Sequence, residues 1–150
     1  ISKKIHGTWI IRLLAVARFA RTLATMLASG VPVLTALDIV KRVLNNTVLE
    51  KVIEDARIAI REGESIAVTL KKSKQFPSMM CHMVAVGERS GQLEAMLENV
   101  AGAYERDVEM QVNRLTSLLA PIMILAMAIG VGFIVFSILV PIMDMGQMVQ

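Results

Sequence analysis

The stretch Leu115–Met143, LTSLLAPIMILAMAIGVGFIVFSILVPIM, carries no charged side chain. A helix rises about 1.5 Å per residue, so this segment exceeds the ~30 Å hydrocarbon core of a bilayer and can cross it with some tilt. Helices buried in soluble proteins are shorter and rarely apolar all round. Length and patterning therefore predict a membrane span over 115–143. With no ionisable residue inside it, the span gives no support for a proton or ion pathway. Small residues four apart, Ala126/Gly130 and Ala128/Gly132, predict close packing of Ala126, Gly130 and Gly132 against other spans.

Outward from that stretch the charge is one-sided. Every Lys and Arg lies at or before Arg114, and Asp144 is the only charged residue after it. By the positive-inside rule the preceding residues are expected to be cytoplasmic and the tail 144–150 outside. The 150 residues fit one domain, with 55% hydrophobic content but only 4% aromatic, so the apolar mass is aliphatic and Met. The single cysteine, Cys81, cannot make an internal disulfide. Net charge +3 and pI ≈ 9.3 are compatible with nucleic acid or a membrane surface. Interleaved aromatics or a reading helix are missing, so no nucleic-acid partner is expected. Trp9 near Lys3-Lys4 suits a membrane surface, and 1–11 reads as a juxtamembrane segment. Trp9–Leu14, interrupted by Arg12, is too short for the apolar core of a signal peptide.

Between these ends, 12–114 reads as a six-helix bundle, giving an all-α fold followed by one transmembrane helix. A helix over Leu13–Ala28 presents Val16, Phe19/Ala20, Leu23 and Leu27 on one face. Gly30 suits a left-handed cap, and Pro32 suits the first turn of a second helix through Leu34, Leu37, Val40, Val43 and Leu44. After Asn45-Asn46, Thr47 and Glu50 have capping-box spacing ahead of Val48, Val52, Ala56 and Ala59/Ile60. Gly63 ends that helix. Ser65 is expected to cap a short fourth one through Ile66 and Leu70, which dissolves in Lys71–Lys74. Phe76-Pro77-Ser78 opens a fifth, and Gly87–Gly91 is expected to be the corner before a sixth that buries Leu93, Met96/Leu97, Val100, Tyr104, Val108 and Val112. No Gly- or Pro-rich linker separates the sixth helix from the span, so it is expected to run on, with a bend near Pro121.

Few residues offer chemistry. The two-glycine stretch VGERSGQL (86–93) lacks the Gly-Lys-Ser/Thr end of a phosphate loop. Glu88 within it is best read as an acceptor for the free N–H groups of helix six or as half of a salt bridge. A catalytic role would need a nucleophile–base pair that the chain does not supply. Cys81-His82 falls short of a zinc site, which wants four ligands in spaced pairs, and no cofactor is expected. The tail methionines 143, 145 and 148 leave one alternative, a membrane-anchored Cu(I)-handling protein, although Met elsewhere in the chain simply fills gaps. Arg18 and Arg21 form one basic patch, Lys71, Lys72 and Lys74 another. Both, together with Glu88, are candidates for contact with a protein partner or lipid.

Taken in order, Phe19-Ala-Arg-Thr-Leu23, Ser29-Gly-Val-Pro32, Arg61-Glu-Gly63-Glu-Ser65, Phe76-Pro77, Val86-Gly-Glu88-Arg-Ser-Gly91-Gln-Leu93 and the closing Val140-Pro141-Ile142 resemble the type II secretion system protein F family, shared with type IV pilus machines. The resemblance covers nearly the whole chain and points to the family's second cytoplasmic domain with its last span. It implies a non-enzymatic platform in the bacterial inner membrane, with a cytoplasmic bundle and a periplasmic tail. The implied partners are a cytoplasmic assembly ATPase, other inner-membrane components, pilin or pseudopilin, and further copies of itself. In the family pattern the Gly-Glu-x-x-Gly segment is a corner between two helices. That assigns structural roles to Gly87, Glu88 and Gly91, beside Gly30, Pro32 and Pro77.

Overall fold

A computed structural model describes the backbone of residues 2–149 and the side-chain surroundings of 9–149. The described residues form six helices: α1 (Ser2–Ala28), α2 (Val33–Val43), α3 (Thr47–Arg61), α4 (Ile66–Lys72), α5 (Ser78–Ser90) and α6 (Leu93–Gln147). They divide into two compact units, Ile1–Glu109 and Met110–Gln150.

The first unit is built on apolar stripes at helical spacing. On α1, Val16, Phe19, Ala20 and Leu23 are buried at successive turns, and Leu37, Ile53, Leu70, Met80 and Leu97 meet them from the other five helices. Phe19 anchors this core, with its ring 4.9 Å from that of Phe76 and tilted by 51°. Complete burial of a Phe is worth roughly 3–5 kcal/mol against Ala. Neighbours in sequence are neighbours in space, with α2 packed on α3 and α4 on α5. Ion pairs lace α2 to α3 across their outer edge: Lys41 to Glu54 at 2.7 Å and Arg57 to Asp38 at 3.1 Å.

The glycines at 30, 63 and 91 hold positive φ where α1, α3 and α5 end. At the first of these, Val31 N–H reaches back to the Met26 carbonyl and Gly30 N–H to that of Leu27, satisfying carbonyls the helix leaves open. Pro32 and Pro77 sit just outside α2 and α5, and their carbonyls accept the first helical bonds from Ala36 and Cys81. Pro32 thus falls one residue before the first turn in which the sequence placed it.

Four boundaries or faces differ from the sequence reading. Helix α1 begins at Ser2 and not near Leu13, and Gly7 within it does not end it. Thr47 does not cap α3. The Asn46 carboxamide accepts from Val48 and Leu49 N–H instead, since Asn46 is extended while Thr47 is already helical. The same helix buries Leu49 and Ile53 and leaves Val48 54% exposed. Adjacent apolar pairs made two stripes possible there, and packing put the larger side chains inside. Val43 and Val112, expected in the core, are also exposed.

The close approach of α5 to α6 depends on a missing side chain. Gly87 is buried inside α5, and a Cβ there would lie 2.8 Å from the Leu93 Cα and 3.1 Å from the Met96 Cβ. Gly87 therefore permits contact between helices, and the reversal itself falls at Gly91 (φ 70°). This corrects the expectation that both glycines make the turn.

The second unit is the C-terminal part of α6. Its large apolar side chains are open, including Ile124, Met127, Phe133 and Phe136, and the helix assignment continues through Pro121 and Pro141. The helix is long and apolar enough to cross a membrane, with a mean hydropathy of 2.8 in its most apolar window. Nothing lies within contact of a Cβ built on Gly130 or Gly132, and Ala126 is likewise exposed.

Replacing Gly87 by Ala is expected to destabilise the bundle by about 1–3 kcal/mol, because the obstructing atom at Leu93 is backbone and cannot rotate away. Denaturant unfolding followed by circular dichroism would show it. An unchanged midpoint would mean that the α5–α6 approach is looser than described.

Candidate functional site

The most connected polar residue of the corner is Glu88, and it serves a different helix from the one expected. Its Oε1 accepts from Ile66 N–H at 2.7 Å. Its Oε2 accepts from Ser65 Oγ at 2.6 Å and from Ala67 N–H at 3.1 Å. Glu88 on α5 thus caps the N-terminus of α4, not that of α6. The cause is direction. At position 88 the chain is still inside α5, so the side chain projects sideways onto the neighbour α5 packs against. Ser65 makes no side-chain cap of its own; its hydroxyl donates to Glu88.

Helix α4 has only seven residues, too few to be stable alone. Its far end is held as well. Arg12 on α1 donates through Nε to the Gln75 carbonyl at 3.0 Å and through a terminal nitrogen to the Lys74 carbonyl at 2.7 Å. Lys74 takes a left-handed conformation (φ 55°), which turns the chain towards Phe76 and Pro77. The sequence reading gave Arg12 the part of a charge interrupting the apolar run Trp9–Leu14. Its partners lie more than sixty residues away, so no local signal could have found them.

The remaining candidates separate by what they already bind. Arg21 forms a two-point pair with Glu105 at 2.8 and 2.7 Å, with Glu98 at 3.9 Å, joining α1 to the first turns of α6. Arg21, expected as a partner or lipid contact, thus also ties α1 to α6, with its side chain 41% exposed. The Arg21 hydrogen bond and charge hold the Glu105 carboxyl below its ordinary range. Lys72 pairs with Glu64. Arg18, Lys71 and Lys74 are exposed and carry no ion pair among the described residues.

Cys81 is buried and His82 exposed, so the two adjacent residues face different surroundings. Burial pushes the Cys81 thiol up, with Lys71 pulling it partly back. This is the reverse of what an activated thiolate requires. No three of the described His, Cys, Asp and Glu side chains converge as a metal site. The Lys3, Lys4 and His6 side chains lie outside the described residues. The geometry shared by Arg12, Glu88 and Arg21 is that of a brace, with polar side chains spent on holding helices together.

A braced helical bundle whose last helix includes an apolar segment long enough to cross a bilayer defines the class, an all-α protein with one candidate membrane span among its described residues. The family follows from sequence comparison. Residues 19–141 match the family "Type II secretion system (T2SS), protein F", and the chain belongs to it. It is 44% identical over 134 residues to a type II secretion system protein F of Aeromonas hydrophila, covering 89% of this chain and 34% of that protein. It is 43% identical over 129 residues to a type IV pilus assembly protein PilC of Thermus thermophilus, covering 85% of this chain and 32% of that protein. The chain spans about a third of the length of these relatives.

Two outcomes follow from the brace. Glu88→Ala leaves three donors at the head of α4 without an acceptor and is expected to cost about 1–3 kcal/mol in bundle stability. Glu88→Gln, which keeps one acceptor oxygen, should recover part of that in the same denaturation assay; equal midpoints for wild type and Ala would remove the cap from the account. The Arg21–Glu105 pair should show in a pH series. Because the native Glu105 pKa is depressed, its stabilisation is complete above the ordinary Glu value of about 4.3 and is lost as pH falls through the lower native value. The pair is half exposed, so the increment is expected to stay below about 1 kcal/mol. Glu105→Gln should flatten the acid limb of the melting curve by that amount, and identical limbs would contradict it.

Proposed function

We propose that this chain is the part of an inner-membrane platform that couples a cytoplasmic assembly ATPase to the extraction and assembly of pilin-like subunits. The single observation carrying this reading is the family match over 19–141 with relatives named for both type II secretion and type IV pilus assembly. The physical properties support it. The polar side chains at the corner are consumed in bracing, which suits a body that transmits force and carries out no chemistry of its own. Helix α6 begins in the bundle, where Leu97, Val100 and Ala101 are buried, and its assignment runs unbroken to Gln147. A push or rotation applied to the bundle has a covalent route along α6, whose hydrogen-bond ladder lacks a donor only at Pro121 and Pro141.

In this reading the basic side of α6 lies in the cytoplasm and the tail from Asp144 in the periplasm, following the distribution of Lys and Arg. Ala126 and Gly130, four apart, give α6 one small-residue face and Gly132 lies on a different side with Ala128, so other spans, from further copies or other inner-membrane components, can pack closely on either. The bundle meets the ATPase, and Arg18, Lys71 and Lys74 are among its exposed cations without an ion pair among the described residues, available to protein or anionic lipid.

The test uses the full chain in nanodiscs with the cognate assembly ATPase hexamer and sedimentation as readout. Cosedimentation that survives in Glu88→Gln but is lost on unfolding the bundle supports the proposal. If no complex forms when the other inner-membrane components are added, the ATPase contact belongs elsewhere in the platform.

A further inference from the structure

A groove of about 570 Å³ runs along the outer side of the α4–α5 pair. Val68 and Lys71, one turn apart on α4, form one wall. Ser78, Met79 and His82 on α5 form the other, with Cys81 at the floor. The brace accounts for none of this surface. Met79 is 67% exposed and Val68 44%, and one further turn pair along α5 brings Val86, 41% exposed, onto the same stripe as Met79. Exposed aliphatic residues that share one concave strip mark a binding surface more often than the same residues scattered singly.

Charge narrows the occupant. No carboxylate lines the groove, whereas Lys71 stands in its wall and exposed Lys74 follows the end of α4. The nearby Glu64 is already paired with Lys72 and offers Lys71 no internal partner. A groove between two helices with apolar rungs at helical spacing accepts a third helix by the same ridge-and-groove packing that forms the bundle. Methionine on such a wall adapts to differing side chains.

We propose that the α4–α5 groove is a docking site for an acidic amphipathic helix of a partner protein, whose apolar face covers Met79 and Val68 and whose carboxylates meet Lys71 and Lys74. This goes beyond the platform reading and does not depend on which protein supplies the helix. It also gives the brace a purpose, since Glu88 and Arg12 hold in place the short helix that forms one wall.

The experiment uses the full chain in nanodiscs of neutral lipid and two fluorescent stapled helical peptides with leucine along one face. One carries glutamate on the other face, and its twin carries lysine. The glutamate peptide is expected to bind at least about tenfold more tightly than its twin, a difference of about 1.4 kcal/mol. Lys71→Glu should reverse the preference, and Met79→Asp should weaken both by a similar factor. Lys51→Glu, on α3 and outside the groove lining, should change neither. Met79→Ala and Lys71→Gln repeat the test should a charge variant melt early by circular dichroism. Failure of the glutamate peptide to bind, equal binding of the twins, or indifference to both groove substitutions would overturn the proposal. So would loss of self-association or of anionic-vesicle binding as the main effect of Met79→Ala, which would assign the groove to a second copy or to lipid. A negative peptide result beside a positive ATPase result would leave the platform reading standing.

Discussion

A seven-residue helix cannot pay its own nucleation cost, and the helical bundle of the first unit is arranged around that constraint. Helix α4 survives because its head is satisfied by Glu88 from α5 and the loop at its tail by Arg12 from α1. Between these ends Ile66, Ala67 and Leu70 are pressed into the common core with Phe19, Met80 and Phe76. Cap and core support each other. Without the buried face Glu88 would cap a segment that frays, and without the cap the buried face would carry unsatisfied N–H groups towards the interior.

The same economy explains the corner. Between α5 and α6 the chain must reverse within two residues and then let two helices approach closely. Gly91 supplies the left-handed conformation and Gly87 the absence of a side chain where Leu93 and Met96 pass. With the helices that near, Glu88, the residue after Gly87, is held at a fixed place on the bundle surface and can reach α4. Functional readings that treat Glu88 as a reactive carboxylate overlook that its two oxygens already accept three hydrogen bonds.

Much of this was legible from residues alone. Stripes such as Val16–Phe19–Leu23 and Leu37–Val40 located their helices and core faces because an amphipathic period needs only local sequence. Gly30 located a helix end because few other residues tolerate positive φ. Reading failed where two local solutions were nearly equal. Val48/Val52 and Leu49/Ile53 offer competing faces one residue apart, and Asn46 and Thr47 are both good caps. It failed completely for Arg12, whose acceptors are carbonyls of a distant loop.

The sequence by itself determined that the chain is helical, that it contains a charge-free segment able to span a bilayer, and which family it belongs to. These properties rest on composition, period and ordered motifs, and they can be read along one dimension. The tertiary structure decided which cations are spent inside the bundle, which helix Glu88 caps, and that Met79 and Lys71 share a groove. Those outcomes depend on distances between residues far apart in the chain, which arise only when burial of the common core brings the helices together.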